Sequence, residues 1–220
     1  MRKKNVMVAA ALVAAATLTL SACGGDTSKD GGQSLAEVST PTKTKAATVL
    51  DRPYTKPNLV LKDTHGKSYD LREATKGKPT LIYFGYTNCP DVCPLTMSNI
   101  AVAYKKLSKA EQEKLQVVFV TTDPDRDTPK ELGKWLKGAG NPDFIGLTGD
   151  FPTIQAGARQ IGVSIEPSTK DKDGKVVSMH SKQVIAFSPK TDAGYVLYTD
   201  EATAEDYTAD LPKIVKGETP

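Results

Sequence analysis

Histidine and cysteine are scarce in this chain of 220 residues, which holds two of the first and three of the second, and tryptophan occurs once. So few cysteines exclude a small scaffold stapled by disulfides, so the fold must rest on a hydrophobic core. An apolar content of 39% over this length supplies that core for one globular domain plus a tail. An excess of one charge is also missing, since 29 basic residues face 26 acidic ones. That near balance removes the electrostatic case for nucleic acid, and short lysine runs such as Lys105-Lys106 read as solvated helix faces. No internal repeat, heptad pattern or exposed apolar stripe stands out, so a monomer is expected.

What is present begins at the N-terminus. Arg2, Lys3 and Lys4 precede an uncharged apolar run over residues 6–20, the layout of a secretory signal. Leu20-Ser21-Ala22-Cys23 resembles the bacterial lipobox, so residues 1–22 are expected to be removed and Cys23 to carry a lipid. An uncleaved anchor is the alternative, although the run is somewhat short for a spanning helix of about 20 residues. Both place the rest of the chain outside the cytoplasm, anchored to the cell membrane. Losing Arg2, Lys3 and Lys4 takes three of the 29 basic residues and leaves the mature chain neutral against its 26 acidic ones. Residues 24–48 are mostly small and polar, too poor in large apolar groups to fold, and a tether is assigned to 23–50 with the domain over 51–220.

Within the domain, Leu59-Val60-Leu61 and residues 69–71 flank turn chemistry at Asp63-Thr64-His65-Gly66-Lys67 and predict an opening β-hairpin. The nearly continuous apolar run over 80–86 predicts a central strand covered on both faces. From Pro94, the residues Met97, Ile100, Tyr104 and Leu107 recur at helical steps of three and four. Val117-Val118-Phe119-Val120 is a second buried strand, and Thr128-Pro129-Lys130-Glu131 announces a helix running to about Gly138. A strand over 144–147, a helix over 151–161, a hairpin from 184–187 and 195–198, and a last helix over 203–215 complete an α/β arrangement with a mixed sheet.

The candidate chemistry lies where the central strand ends. With Cys23 assigned to lipid, only Cys89 and Cys93 remain, three residues apart on a loop between strand and helix, where α/β folds commonly place their sites. In an oxidising compartment such a pair closes to a disulfide unless a metal or a reductant holds it. Cys93 precedes Pro94, so it is expected to cap the helix, where the dipole would lower its thiol pKa. The two sulfurs can converge on one ion or on each other.

The segment Gly85-Tyr86-Thr87-Asn88-Cys89-Pro90-Asp91-Val92-Cys93-Pro94 resembles the copper-binding signature of the Sco/SenC family, copper chaperones of cytochrome c oxidase assembly. Thr122-Asp123-Pro124-Asp125-Arg126-Asp127-Thr128 and Met179-His180-Ser181 resemble two further motifs of that family, and the likeness runs from about Pro53 to Val215. It implies a thioredoxin-like fold, with Cys89, Cys93 and His180 as ligands of a copper ion. It further implies delivery to the copper-receiving subunit of the oxidase, with another copper chaperone or a thiol reductase as further partners. The family often has acidic residues before the histidine, whereas Val177-Ser178-Met179 stand here. The ligand set agrees with general chemistry: thiolates select copper(I) or zinc, imidazole suits both copper states, and three ligands leave a position open for transfer.

Other readings stand beside this one. The cysteine pair could act as an extracytoplasmic thiol-disulfide oxidoreductase, although its spacing departs from Cys-x-x-Cys and such an enzyme has no evident need of His180. A disulfide that serves only stability would close a very short loop for little gain. His65 reads as a surface turn residue, Met97 and Trp135 as packing, and Met179 as a thioether candidate. Asp123 could buttress the metal ligands or simply shape a turn.

Overall fold

The computed structural model describes residues 46–220 except 173, 175, 178 and 179. The signal peptide, Cys23, most of the expected tether and Met179 therefore lie outside the described residues. In chain order the elements are β1 (Ala47–Thr55), β2 (Val60–Asp63), β3 (Ser68–Asp70), α1 (Leu71–Ala74), β4 (Thr80–Gly85), α2 (Val92–Lys106), α3 (Lys109–Lys114) and β5 (Gln116–Thr121). Then follow α4 (Pro129–Ala139), β6 (Ile145–Thr148), α5 (Phe151–Gln160), β7 (Thr169–Lys170), β8 (Val176–Val177), β9 (Val184–Phe187), β10 (Ala193–Tyr198) and α6 (Ala204–Lys216).

Eight strands form one mixed sheet in the order β1-β10-β9-β4-β5-β6-β2-β3, while β7 and β8 make a separate small hairpin. The central β4 lies parallel to β5 and antiparallel to β9, and β5 lies parallel to β6. Every residue of β4 is buried. Its alternation decides the layers: Leu81 and Tyr83 face a cluster with Met97, Ile100, Leu132, Leu136, Leu211 and Ile214, whereas Ile82 and Phe84 face Leu59, Leu71, Ile154 and Ala158. Helices α2, α4 and α6 thus cover one face and α1 and α5 the other, as a strand apolar on both sides demands.

The helix ends follow local chemistry. Thr128 caps α4 by accepting from the Glu131 N–H with Pro129 in the first turn, and Thr203 and Asp206 form a reciprocal capping box at the start of α6. The helix stripe Met97, Ile100, Tyr104 and Leu107 is buried as its spacing requires.

Two expectations need correction. The expected tether reaches residue 50, yet β1 already starts at Ala47 and pairs antiparallel with β10. Consequently the hairpin of β2 and β3 forms but does not open the domain. β1 escaped notice because most of its side chains are exposed and its register shifts between Val49 and Tyr54, so backbone pairing, not an apolar alternation, holds it. The short α3, capped by Ser108 and Glu111, has no buried residue and no apolar period to betray it. Among the described residues no helix is long and apolar enough to cross a membrane.

Candidate metal centre

β4 ends at Gly85, and this glycine is required by crowding. A Cβ there would lie 2.9 Å from the Phe119 ring and 3.0 Å from Cys93 Sγ. The chain then turns through Tyr86, whose carbonyl accepts from the Cys89 N–H at 3.2 Å, and enters α2 at Val92. Asp91 occupies the N-cap position, although its side chain makes no capping hydrogen bond. Cys93 is therefore the second residue of the helix and fully buried, not the cap that the Cys-Pro step suggested. Being inside the first turn, its own N–H is one of the free donors of the helix start, and it donates to Cys89 Sγ at 3.3 Å.

His180 arrives from the other side by sheet topology. β9 runs antiparallel to β4 with Val184 opposite Tyr83, so the residues just before β9 must lie at the carboxyl end of β4. An isolated bridge between Ile165 and His180 fixes that approach. It is reinforced by the Ser181 N–H donating to the Ser164 carbonyl at 2.8 Å and the Ser164 N–H to Ser181 Oγ at 3.0 Å. His180 Nδ1 is 2.9 Å from the Ser181 carbonyl. A carbonyl can only accept, so Nδ1 is the donor of this contact and Nε2 is the ring nitrogen left to bind an ion. That Nε2 lies 3.5 Å from Cys93 Sγ. The two sulfurs and one imidazole nitrogen all fall within 4.8 Å of one another, close enough to share one ion.

The two thiols are unbonded and differ sharply. A hydrogen bond from the Cys93 thiol, helped by the Cys93 and Asp91 N–H groups and by His180, lowers the half-buried Cys89 to about 5 against a smaller effect of burial. Cys93 moves the opposite way, raised first by donating a hydrogen bond from its thiol to Cys89 and then by burial. The expected thiolate character thus belongs to Cys89. The wall around them is aromatic: Tyr83 donates from its hydroxyl to Cys93 Sγ at 3.4 Å, and the Tyr86 ring meets His180 edge-on at 5.5 Å between centroids. The cleft outside Cys89 is lined by Tyr86, Pro90, Asp91, His180 and Lys182.

Asp123 and Asp127 divide the roles once weighed for Asp123 alone. Asp123 is buried against the Arg126 guanidinium, an ion pair within its own turn. Asp127 instead reaches the cysteine loop, accepting from the Thr87 N–H at 2.9 Å, Thr87 Oγ1 at 2.5 Å and Thr121 Oγ1 at 2.6 Å. Burial raises the Asp127 pKa against these three donors. Tyr83 and Asp127 were both missed as site residues. The signals were available: Tyr83 alternates with Leu81 towards the α2 face, and Asp127 sits in the Asp-Pro-x-Arg-Asp-Thr segment. Elsewhere, Met97 is core, Trp135 packs on Phe119 at 4.8 Å, and His65 is exposed beside Asp63.

With this geometry in hand, likenesses to known proteins become interpretable. The SCO1/SenC family model matches residues 48–216. The chain belongs to the SCO1/SenC family. A Stutzerimonas stutzeri protein is 35% identical over 141 residues, which span 64% of this chain and 68% of that one. Mitochondrial SCO1 of Saccharomyces cerevisiae is 31% identical over 137 residues, 60% of this chain but only 46% of its own, so the match spans less than half of that longer relative. Among solved structures, Bradyrhizobium japonicum ScoI with copper bound is similar at 30% identity and TM-score 0.61, covering 74% of this chain and 98% of that one. Apo Sco1 of Thermus thermophilus is similar at 29% identity and TM-score 0.66, over 78% and 98%. The fold is thioredoxin-like, as the sequence resemblance implied.

Proposed function

We propose that this protein binds one copper ion through Cys89 Sγ, Cys93 Sγ and His180 Nε2 and delivers it, outside the cytoplasm, to the copper-receiving subunit of cytochrome c oxidase during assembly. The observation that carries the binding step is the convergence of those three atoms within 4.8 Å at one end of the sheet. Two sulfurs and an imidazole make a soft site that suits copper, and the similar Bradyrhizobium japonicum ScoI has been solved with copper bound. Three protein ligands leave a coordination position free, and the cleft beside Cys89 gives a partner's ligand a route to it. Delivery to the oxidase rests on family membership, and the membrane tether rests on Cys23 and its lipobox.

The test is a copper titration of the reduced domain, native against His180→Ala. One copper per chain in the native protein and at least about a tenfold weaker site in H180A, with unchanged folding, supports the proposal. Equal retention in both overturns the ligand set. Delivery is tested by copper release to the apo oxidase subunit in the presence of a chelator that traps free copper.

One observation favours a second reading. An accessible thiolate at Cys89 beside a buried, protonated Cys93 is the arrangement of a nucleophile and its resolving partner, which suits thiol-disulfide exchange. That activity should survive H180A, whereas copper retention should not.

A further inference from the structure

Cys93 Sγ is the most enclosed donor of the site. Beside Gly85 there is no room for even a Cβ, His180 Nε2 lies at 3.5 Å, and the hydroxyl of fully buried Tyr83 donates to it at 3.4 Å. Tyr83 has no freedom to leave, because it sits on the central strand and its ring stacks edge-on against Phe119 at 5.8 Å and His180 at 6.2 Å. Tyr86 bonds the more exposed Cys89, so Tyr83 is the side chain from outside the triad that donates to the buried sulfur.

We infer that Tyr83 sets which copper oxidation state the site prefers, by hydrogen bonding to the Cys93 sulfur. The inference rests on the copper-site reading above. A thiolate bound to copper(I) keeps most of its negative charge, whereas copper(II) draws that charge into a more covalent bond. A hydrogen bond is stronger to the more negative acceptor, so the Tyr83 hydroxyl stabilises the copper(I) form more than the copper(II) form. Hydrogen bonding around a cysteine sulfur is a recognised control of copper redox poise. Tyr83 is a positioning and tuning residue, since it touches the ligand and not the ion. It would keep the cargo in the reduced state that suits handover to other soft donors.

The experiment is Tyr83→Phe, which keeps the ring and its packing while removing the hydroxyl. Affinities for copper(I) and copper(II) are measured separately by competition, and the sulfur-to-copper(II) charge-transfer band is recorded. The ratio of copper(II) to copper(I) affinity should rise about tenfold, with a moved band and one copper still bound per chain. As an independent arm, fluorotyrosine incorporated throughout the native chain makes the phenol a stronger donor and should shift the ratio the other way, with a clearly smaller shift in labelled Y83F, where only Tyr86 still bonds a site sulfur. Equal losses for both copper states, or an unchanged ratio and band, overturn the inference while leaving the copper site standing. Failure of the native protein to bind copper at all overturns the underlying reading instead.

Discussion

The two ends of the central strand hold their polar groups in opposite ways. At the amino end, buried Lys56 donates to the Thr75 carbonyl and to Asp192 Oδ1, both at 2.8 Å, and Asp192 also accepts from the Gly77 N–H at 2.9 Å. Arg72 adds a hydrogen bond to the Lys56 carbonyl at 2.7 Å. Full charges there meet full partners, which ties β1, α1 and the β9–β10 turn together. At the carboxyl end the groups are soft and the sulfurs only weakly partnered: the two thiols rest on contacts of 3.3 to 3.5 Å, while the imidazole is held through Nδ1 and leaves Nε2 facing them. A saturated clamp has no valence left for a ligand, whereas weakly satisfied sulfurs are costly to leave alone and rewarding to metallate. The comparison separates what holds this fold from what the fold is for.

Perturbing each end sharpens the contrast. Replacing Cys89 and Cys93 together by serine should weaken copper binding by more than about 100-fold, beyond the loss that removing a ligand's supporting partner produces, as read by competitive titration. Next in size, Lys56→Ala should lower unfolding free energy by about 2–3 kcal/mol in urea. That is less than the 3–5 of a wholly buried pair, because Asp192 keeps some contact with water. Copper affinity of the folded fraction should stay unchanged, and a parallel fall would show that the two ends are coupled.

Asp127→Asn stands between the classes, since its carboxylate is buried like the clamp but supports the cysteine loop. It leaves donors from Thr87 and Thr121 poorly matched, so about 1–3 kcal/mol of stability and about tenfold in copper affinity should be lost together. A stability loss with intact affinity would make it purely structural.

The smallest effect is one of pH. With Cys89 lowered to about 5, its thiolate persists above that value and is lost as pH falls through it. Alkylation of the apo protein, followed by peptide mass spectrometry, should therefore be nearly constant at Cys89 from pH 6 to 8 and slow below about 5, while buried Cys93 lags throughout. Faster labelling of Cys93 would reverse the assignment of the nucleophile.

Much of the fold was legible because burial leaves a periodic mark. β4, α2, α4 and the β9–β10 pair announce themselves by apolar runs, helical spacing and caps. β1 and α3 do not, since neither buries a face large enough to impose a pattern. The three residues that converge, Cys89, Cys93 and His180, were legible from their motifs, but the state of each thiol was not. The Cys-Pro step suggested a cap at Cys93, whereas the helix starts at Val92, two residues before the start that such a cap implies, and draws the Cys93 side chain into the core.

What the sequence determined by itself is therefore local: a strand apolar on both faces, a cysteine loop at its end, a helix start beyond it, and donors soft enough for copper. Tertiary structure alone decided how those donors relate. His180 is 87 residues from Cys93 along the chain and meets it because β9 runs back against β4. Likewise, only packing shows that Tyr83 faces the sulfur and that Asp127, not Asp123, holds the loop. Hydrogen-bond partners across the sheet depend on register and layer, which no short stretch of sequence specifies.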